Sequence, residues 1–337
     1  MNKTAKIKQI LLKIVPILLA IFFVYFFLAK LSVNERNDII LSLKQANYFW
    51  VVLAILISIL SIYIRALRWQ LMIKTFGYKT SSSTVFFSIM SCYLTNLAIP
   101  RLGEVVRCTM LSSKYKIPFE KTLGTIITER AIDLLLFVLL FVGALFLEYD
   151  LFYNYITNNL NIDLNKYKLL LIVGPIGIFI LFLLFLIFRN KLESNSIYQK
   201  IKKFCLGILQ GMKSITKVEK PFLFIFYSLL IWFLWIFGTW VIFKSMAECL
   251  HLSMEQAMTV TVLGNIGVMI TPGGLGLYPS IFATTLNVYN INLPIGYALG
   301  WINWLVSQIG VVLLGPIGFL LFSHKTKQSK NECCDRK

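Results

Sequence analysis

Acidic side chains are scarce in this sequence. There are 15 Asp and Glu in 337 residues, against 33 Lys and Arg, and the formal net charge is +18. Only 14% of residues are charged, where an ordinary soluble domain is about a quarter charged. A soluble globular enzyme is therefore excluded. Histidine is almost missing, with His251 and His324 alone. Six cysteines are present, but none forms a CxxC, and only the isolated Cys249 and His251 stand near each other, so a zinc site or a redox pair is not expected. No GK[ST] follows any glycine-rich stretch, so there is no Walker-type phosphate loop. No Ser/His/Asp arrangement, metal cluster or cofactor loop is present either, and no cofactor is expected.

What the chain has is apolar length. Hydrophobic residues make up 58% of it, and the mean hydropathy is +0.75. Runs at 10–28, 49–64, 131–147, 169–188, 222–243 and 295–322 each read as a membrane span. A β-barrel would show short alternating segments instead. The expected fold is an all-α polytopic membrane protein with about six full transmembrane helices. Lys3, Lys6, Lys8 and Lys13 precede or open the first run, and no small-residue cleavage site follows, so that helix is expected to be retained. The basic excess sits mostly between the runs, as the positive-inside rule and anionic headgroups require, and no nucleic acid is expected as a partner.

Two further apolar stretches, 81–100 and 258–286, are interrupted by Gly, Pro, Asn, Ser and Thr. Charge bias orients them. Residues 189–220 hold eight basic side chains against Glu193 and Glu219, and the tail carries Lys325, Lys327, Lys330, Arg336 and Lys337; both read as cytoplasmic. The 148–168 loop, with Glu148, Asp150 and Asp163 against two lysines, reads as external. The first broken stretch must then enter and return on the cytoplasmic side, and the second on the external side. Element order repeats between residues 1–150 and 165–325, within one membrane domain over 1–325 followed by a charged cytoplasmic tail at 326–337. Short texts match too: Asn96-Leu-Ala-Ile-Pro100-Arg-Leu-Gly103 against Val268-Met-Ile-Thr-Pro272-Gly-Gly-Leu-Gly276. An inverted repeat is expected, with both termini cytoplasmic and the protein in the cell membrane. Between the halves, apolar residues from Ile197 to Ile215 recur at helical spacing among lysines, which predicts an amphipathic helix on the inner membrane surface.

Ionisable side chains at membrane depth are expensive and mark function. Arg65 and Arg68 are spaced i,i+3 at the end of the second run. Arg101, Glu104 and Arg107 follow Pro100 on one helical face, and Glu129, Arg130 and Asp133 open the third run. A guanidinium offers two parallel donors to a phosphate oxyanion. Arg101 and Arg107 are thus candidates for holding an anionic lipid headgroup, with the three carboxylates positioning the arginines. The alternative for this set is a structural ion-pair network. At the breaks, Asn96, Pro100, Gly103, Asn265, Pro272, Gly273, Gly274, Gly276 and Tyr278 are the candidate re-entrant-loop residues. A helix opening after the glycines would direct its positive end at an anion, and a plain tight turn is the alternative.

Four of these texts taken in order carry a resemblance: Arg65-Ala-Leu-Arg-Trp69, Pro100-Arg-Leu-Gly-Glu104 with Arg107, Thr128-Glu-Arg130 with Asp133, and Pro272-Gly-Gly-Leu-Gly276. Over residues 10–322 the chain resembles the lysylphosphatidylglycerol synthase transmembrane-region family, also called flippase-like domain proteins. The resemblance implies a membrane domain that moves lipids between leaflets. In the bifunctional relatives this domain precedes a soluble aminoacyltransferase, which is expected to be absent here. It also leaves open a transferase acting on a lipid headgroup, or a scaffold for a separate glycosyl- or aminoacyltransferase partner. Many members carry Glu shortly after the PGGxG text, where this chain has Tyr278-Pro279.

Overall fold

The structure is a computed structural model that describes residues 33–99, 101–149 and 218–334. The expected spans at 10–28 and 169–188, the amphipathic stretch at 197–215 and most of the external loop lie outside the described residues, as does Pro100. Among the described residues there are nine α-helices and no strand. In chain order they are α1 (Val33–Gln45), α2 (Tyr48–Lys74), α3 (Ser82–Ala98), α4 (Leu102–Tyr115), α5 (Phe119–Leu147), α6 (Pro221–Phe243), α7 (Met254–Ile270), α8 (Leu277–Val288) and α9 (Leu293–Cys334).

Helices dominate because a bilayer offers backbone N–H and C=O groups no partner outside the segment itself. Local chemistry sets their ends. Asn47 caps α2 by accepting from the Phe49 N–H at 3.1 Å. Pro221 stands in the first turn of α6, where its missing N–H costs nothing. Ser253 and Gln256 form a reciprocal capping box at the start of α7.

Two length classes result. The long apolar helices are α2 with 27 residues, α5 with 29, α6 with 23 and the 30-residue part Leu293–Phe322 of α9. At about 1.5 Å per residue each is longer than a bilayer core of about 30 Å. The other membrane elements are short: α3 and α7 have 17 residues, α4 has 14 and α8 has 12. None of these reaches across such a core.

The short helices pair as antiparallel hairpins. In the first, the N-terminus of α4 lies on the end of α3, where the Gly103 N–H donates to Asn96 Oδ1 at 2.8 Å. At the opposite end Lys114 Nζ donates to Thr84 Oγ1 at 2.7 Å, and the Ser81 N–H donates to Tyr115 Oη at 2.9 Å. In the second, Gly267 and Gly264 of α7 admit Tyr278 of α8. A Cβ at Gly267 would stand 3.0 Å from the Tyr278 nitrogen, and one at Gly264 would stand 2.8 Å from its ring. A tight three-glycine turn joins the arms, with Gly273, Gly274 and Gly276 at φ of 61°, 80° and 78°.

Helix α9 runs beside both hairpins. Its first half packs on α8, with Gly300 against Pro279 and Gly296 against Ala283. Near its middle, Trp304 Nε1 donates to the Gly273 carbonyl at 2.8 Å. Its second half packs on α3, with Gly315 against Leu94 and Gly318 against Phe87, while Ser91 Oγ donates to the Gly315 carbonyl at 3.0 Å. Lipid gives no hydrophobic drive for helix pairing, so close approach at small residues does this work. Because successive positions on α9 meet α8, then the glycine turn, then the end of α3, the two hairpins point at each other. Their tips touch: a Cβ at Gly273 would stand 3.4 Å from Leu97 Cδ2. The broken stretches are therefore hairpins, and each half of the chain contributes a long helix, a hairpin and a long helix in that order.

Candidate functional site

On α2, Arg65 and Arg68 lie about 13 Å and 9 Å along the axis from Lys74 at the helix end, at 1.5 Å per residue. Their i,i+3 spacing turns both toward α5, where Glu129 and Asp133 share a face at i,i+4. The four pair crosswise. Arg65 Nη1 reaches Glu129 Oε1 at 3.0 Å and Asp133 Oδ2 at 3.2 Å, and Arg68 Nη1 reaches Asp133 Oδ1 at 2.7 Å. Arg107 of α4 joins from the hairpin, with Nη2 at 3.2 Å from Glu129 Oε2. Glu129 thus takes charge-assisted bonds from two helices at once, and Arg68 Nη2 stands 3.4 Å from it.

Aromatic rings wall the network. The Arg107 guanidinium lies 4.6 Å from the Trp69 ring, Arg65 lies 5.3 Å from Trp235 and Arg68 lies 5.8 Å from Phe224. These rings are fixed in turn. Trp69 Nε1 donates to Thr125 Oγ1 at 2.8 Å, and Trp235 Nε1 donates to Ser61 Oγ at 3.2 Å. The three guanidinium side chains are at most 3% exposed, Glu129 is 0% and Asp133 is 13%, so the network is screened from solvent on nearly every side. In such a place each charge depends on its partners.

Not every expected charged residue joins. Glu104 and Arg130 form a looser pair at 3.8 Å, with side chains 23% and 46% exposed. Arg101 is exposed at the tip of the first hairpin. It sits in the left-handed region, at φ 64° and ψ −4°, as the residue before the first turn of α4. A residue with a Cβ held there stores strain that its surroundings must offset, a condition that clusters at functional sites. Arg101 and Arg107 are therefore separated in depth: one is exposed at the hairpin tip and the other is bonded to Glu129. The network alternative describes Arg65, Arg68, Arg107, Glu129 and Asp133 as they stand.

The break residues hold the hairpins. Asn96 Oδ1 accepts from Gly103, and Asn96 Nδ2 faces Glu104 at 3.5 Å. Asn265 Nδ2 donates to its own helix at the Thr261 carbonyl, at 2.8 Å. Tyr278 is buried between α7 and α9, and its hydroxyl accepts from Asn303 Nδ2 at 2.8 Å. Asn303 also donates to Thr239 of α6 at 3.1 Å, and Thr261 donates to Thr239 at 2.8 Å. Sequence reasoning missed Asn303, Thr239, Trp69 and Trp235. The signal for Asn303 was an amide inside an apolar run, and the signal for Trp69 was its place beside Arg68.

Cys92, Cys108 and Cys249 are buried free thiols. Burial pushes the Cys249 thiol up to about 12, aided by Glu248, so it is a poor nucleophile. Among the described residues no group of three or more His, Cys, Asp or Glu is placed to hold a metal ion.

Two proteins of Methanocaldococcus jannaschii are similar to this chain. UPF0104 membrane protein MJ1595 is 26% identical over 340 residues, covering 94% of this chain and 97% of the relative. UPF0104 membrane protein MJ1078 is 27% identical over 245 residues, covering 71% of this chain and 99% of the relative. No solved structure matches. The family described as lysylphosphatidylglycerol synthase TM region matches residues 13–315, a stretch that takes in both hairpins and the whole charged network, and the chain belongs to that family of membrane proteins.

Proposed function

We propose that this protein translocates a lipid with an anionic headgroup, a phospholipid or a polyprenyl-phosphate-linked lipid, between the leaflets of the cell membrane. The observation that carries the reading is the tip-to-tip meeting of two half-length hairpins along α9, with an arginine-rich network buried beside one of them. Transporters place their substrate sites where broken helices of opposed repeats meet near the bilayer midplane. In this reading the two halves are inverted, both termini are cytoplasmic, the first hairpin opens inside and the second opens outside.

Arg101 is the first contact for the headgroup, assisted by Arg130. It is exposed and strained, and it stands at the start of α4, where the helix dipole disfavours a cation that lacks an anion beside it. Exposed apolar side chains beside both tips, Leu102 and Val105 on α4 and Met269 and Ile270 on α7, offer surface for acyl chains. Glu104, Glu129 and Asp133 hold the arginines in place.

Reconstitution into liposomes tests this. Fluorescent phospholipid in the outer leaflet is bleached by an impermeant reductant, and the protected inner fraction is followed over time. Protein-containing vesicles are expected to lose protection many-fold faster than empty ones. Rates no faster than those of empty vesicles, for anionic phospholipids and polyprenyl phosphates alike, would overturn the reading.

A further inference from the structure

We infer that Glu148 is a proton-binding site that clasps the end of α5 to the open end of the second hairpin. Protonated, its carboxyl joins the Tyr289 and Thr259 hydroxyls and the two ends close; ionised, it is held off by Glu255 and they part. The inference goes beyond translocation and does not depend on it.

Glu148 ends α5, where its N–H donates to the Ala144 carbonyl at 3.1 Å. Ala144, one turn earlier, is buried, and α5 packs along α7. Tyr289 ends α8 and is held by the turn after it. Asn290 takes φ 63°, the Ile291 N–H donates back to the Leu286 carbonyl at 3.2 Å, and Asn287 Nδ2 donates to the Ile291 carbonyl at 3.2 Å. Glu255 and Thr259 share a face at i,i+4 in the first turns of α7. The carboxyl thus belongs to the first half of the chain, and the groups before it belong to the second. Tyr289 from α8 and Glu255 from α7 are the titratable groups that face Glu148. Among the described residues no Lys or Arg forms an ion pair with it. Tyr149, the next residue, is exposed, and Asp150 lies outside the described residues.

Two hydroxyls at this junction are unspent. Tyr289 is 6% exposed and Thr259 is 0%, and neither hydroxyl oxygen has a hydrogen-bond partner. The Tyr289 hydroxyl nevertheless faces both Thr259 and Glu148. Three polar groups side by side with their bonds unmade mark a contact stopped short of closure, because a buried polar atom is costly to leave unpaired. A neutral carboxyl completes the chain. Its O–H donates to Tyr289 Oη, and the Tyr289 O–H donates to Thr259 Oγ1. A carboxylate could accept from Tyr289 instead, but it would then shed water beside the like charge of Glu255.

Burial against the hairpin pushes the Glu148 carboxyl above the usual carboxylate range; the Tyr289 hydroxyl opposes this, and Glu255 adds to it. Closing therefore raises the affinity for a proton, and by linkage a proton favours closing. The clasp is complete below the carboxyl's pKa in the open form. It is lost as pH rises through the higher pKa of the closed form. In the orientation that the charge bias implies, this end faces outside and the proton comes from the external medium.

The test uses the full chain in detergent with spin labels at Phe146→Cys on α5 and Thr284→Cys on α8, both exposed positions. Native cysteines are replaced by serine, and Asp150→Asn and His251→Gln remove the nearest other groups that could titrate. Dipolar spectroscopy reads the distance between the labels as pH is varied. The distance is expected to be short in acid and to lengthen by several ångström as pH rises, with a midpoint above the usual glutamate value of about 4.3. Glu148→Gln is expected to stay short at every pH, because its neutral amide also donates to Tyr289. Glu255→Gln is expected to move the midpoint to lower pH, since a like charge is gone. Tyr289→Phe is expected to move it to higher pH, since the carboxylate loses a donor. Melting temperatures confirm that each variant is folded. A distance that does not change with pH would overturn the clasp. So would a pH response that survives in Glu148→Gln, or a midpoint that neither Glu255→Gln nor Tyr289→Phe moves. Lipid movement in vesicles is read separately. A titrating distance without movement at any pH leaves the clasp standing and removes the translocation reading; movement with a fixed distance does the reverse.

Discussion

Gly103 of α4 lies so close to Cys92 of α3 that a Cβ at position 103 would overlap the Cys92 carbonyl oxygen and stand 2.7 Å from Asn96 Oδ1. The obstacle is helix backbone, which cannot step aside as a side-chain tip can. Gly103→Ala is expected to prise the first hairpin apart and destabilise the protein by about 1–3 kcal/mol. Gly143→Ala on α5 meets nothing within 4 Å and is the control; it is expected to be neutral or stabilising by up to about 1 kcal/mol. Melting temperatures in detergent check both. An unperturbed Gly103→Ala protein would mean that the two arms are not held this closely.

Removing a carboxylate from the network should hurt more than removing an arginine. Loss of Glu129 leaves three guanidinium groups facing Asp133 alone, whereas loss of Arg107 brings the buried charges into balance. Glu129→Met is expected to cost roughly 3–5 kcal/mol, the usual range for stranding buried charge, and Arg107→Met distinctly less. Thermal unfolding of the two variants side by side decides it, and an equal loss would defeat the charge argument. In liposomes a folded Arg107→Ala protein is expected to lose transport, with Arg107→Lys still impaired because an ammonium lacks the planar fork.

The hydroxyl of Tyr278 accepts from Asn303 between the second hairpin and α9. In Tyr278→Phe the amide keeps its bond to Thr239, so the expected cost is about 0.5–1.5 kcal/mol. Asn303→Leu removes the donor from Tyr278 and Thr239 together and is expected to cost more. Melting temperature again reads both, and a reversed order would show that Asn303 is not the hub of that contact.

The opposed hairpins predict opposite exposure of their open ends. Lys79 precedes α3 and Glu248 precedes α7, and both are exposed. With native cysteines replaced by serine, an impermeant maleimide on intact cells is expected to label Glu248→Cys and spare Lys79→Cys. Labelling of both from one side would sink the inverted arrangement.

Without a partner synthase, the purified chain is expected to form no aminoacylated lipid from charged transfer RNA and phosphatidylglycerol. Robust product from protein free of other synthases would favour the headgroup-transferase reading instead.

Much of this architecture is written locally. Apolar runs of bilayer length gave α2, α5, α6 and α9. Pro and Gly inside otherwise apolar text gave the breaks around Ile99 and Thr271, because few other residues interrupt a helix in lipid. The first hairpin reaches further than the apolar text showed, since its second arm is the charged helix α4. The polar helix α1 was not legible, because its position depends on a distant contact: the Asn47 N–H beyond its end donates to the Ser245 carbonyl at 2.8 Å. The charged residues were legible as a set, but their pairing was not. Spacings of i,i+3 and i,i+4 state which side chains share a helix face and say nothing about which helix that face meets. Arg101 and Arg107 look equivalent by spacing, yet α4 begins between them, so the backbone of Arg101 turns away in the left-handed region. Asn303 and Trp235 were hidden for the same reason, since their partners are on other helices.

That both hairpins lean on α9 has a bearing on biosynthesis. α9 comes later in the chain than every surface that packs on it, so neither hairpin has its final support when it leaves the ribosome. Each arm is too short to cross the bilayer alone, and each tip carries backbone that lipid cannot solvate. Until α9 is made, those breaks need shelter from lipid that α9 later supplies. Release from that state comes when α9 arrives with its glycines facing both hairpins. A chain halted before Leu293 would lack that support, and is expected to be more open to proteolysis than the full chain.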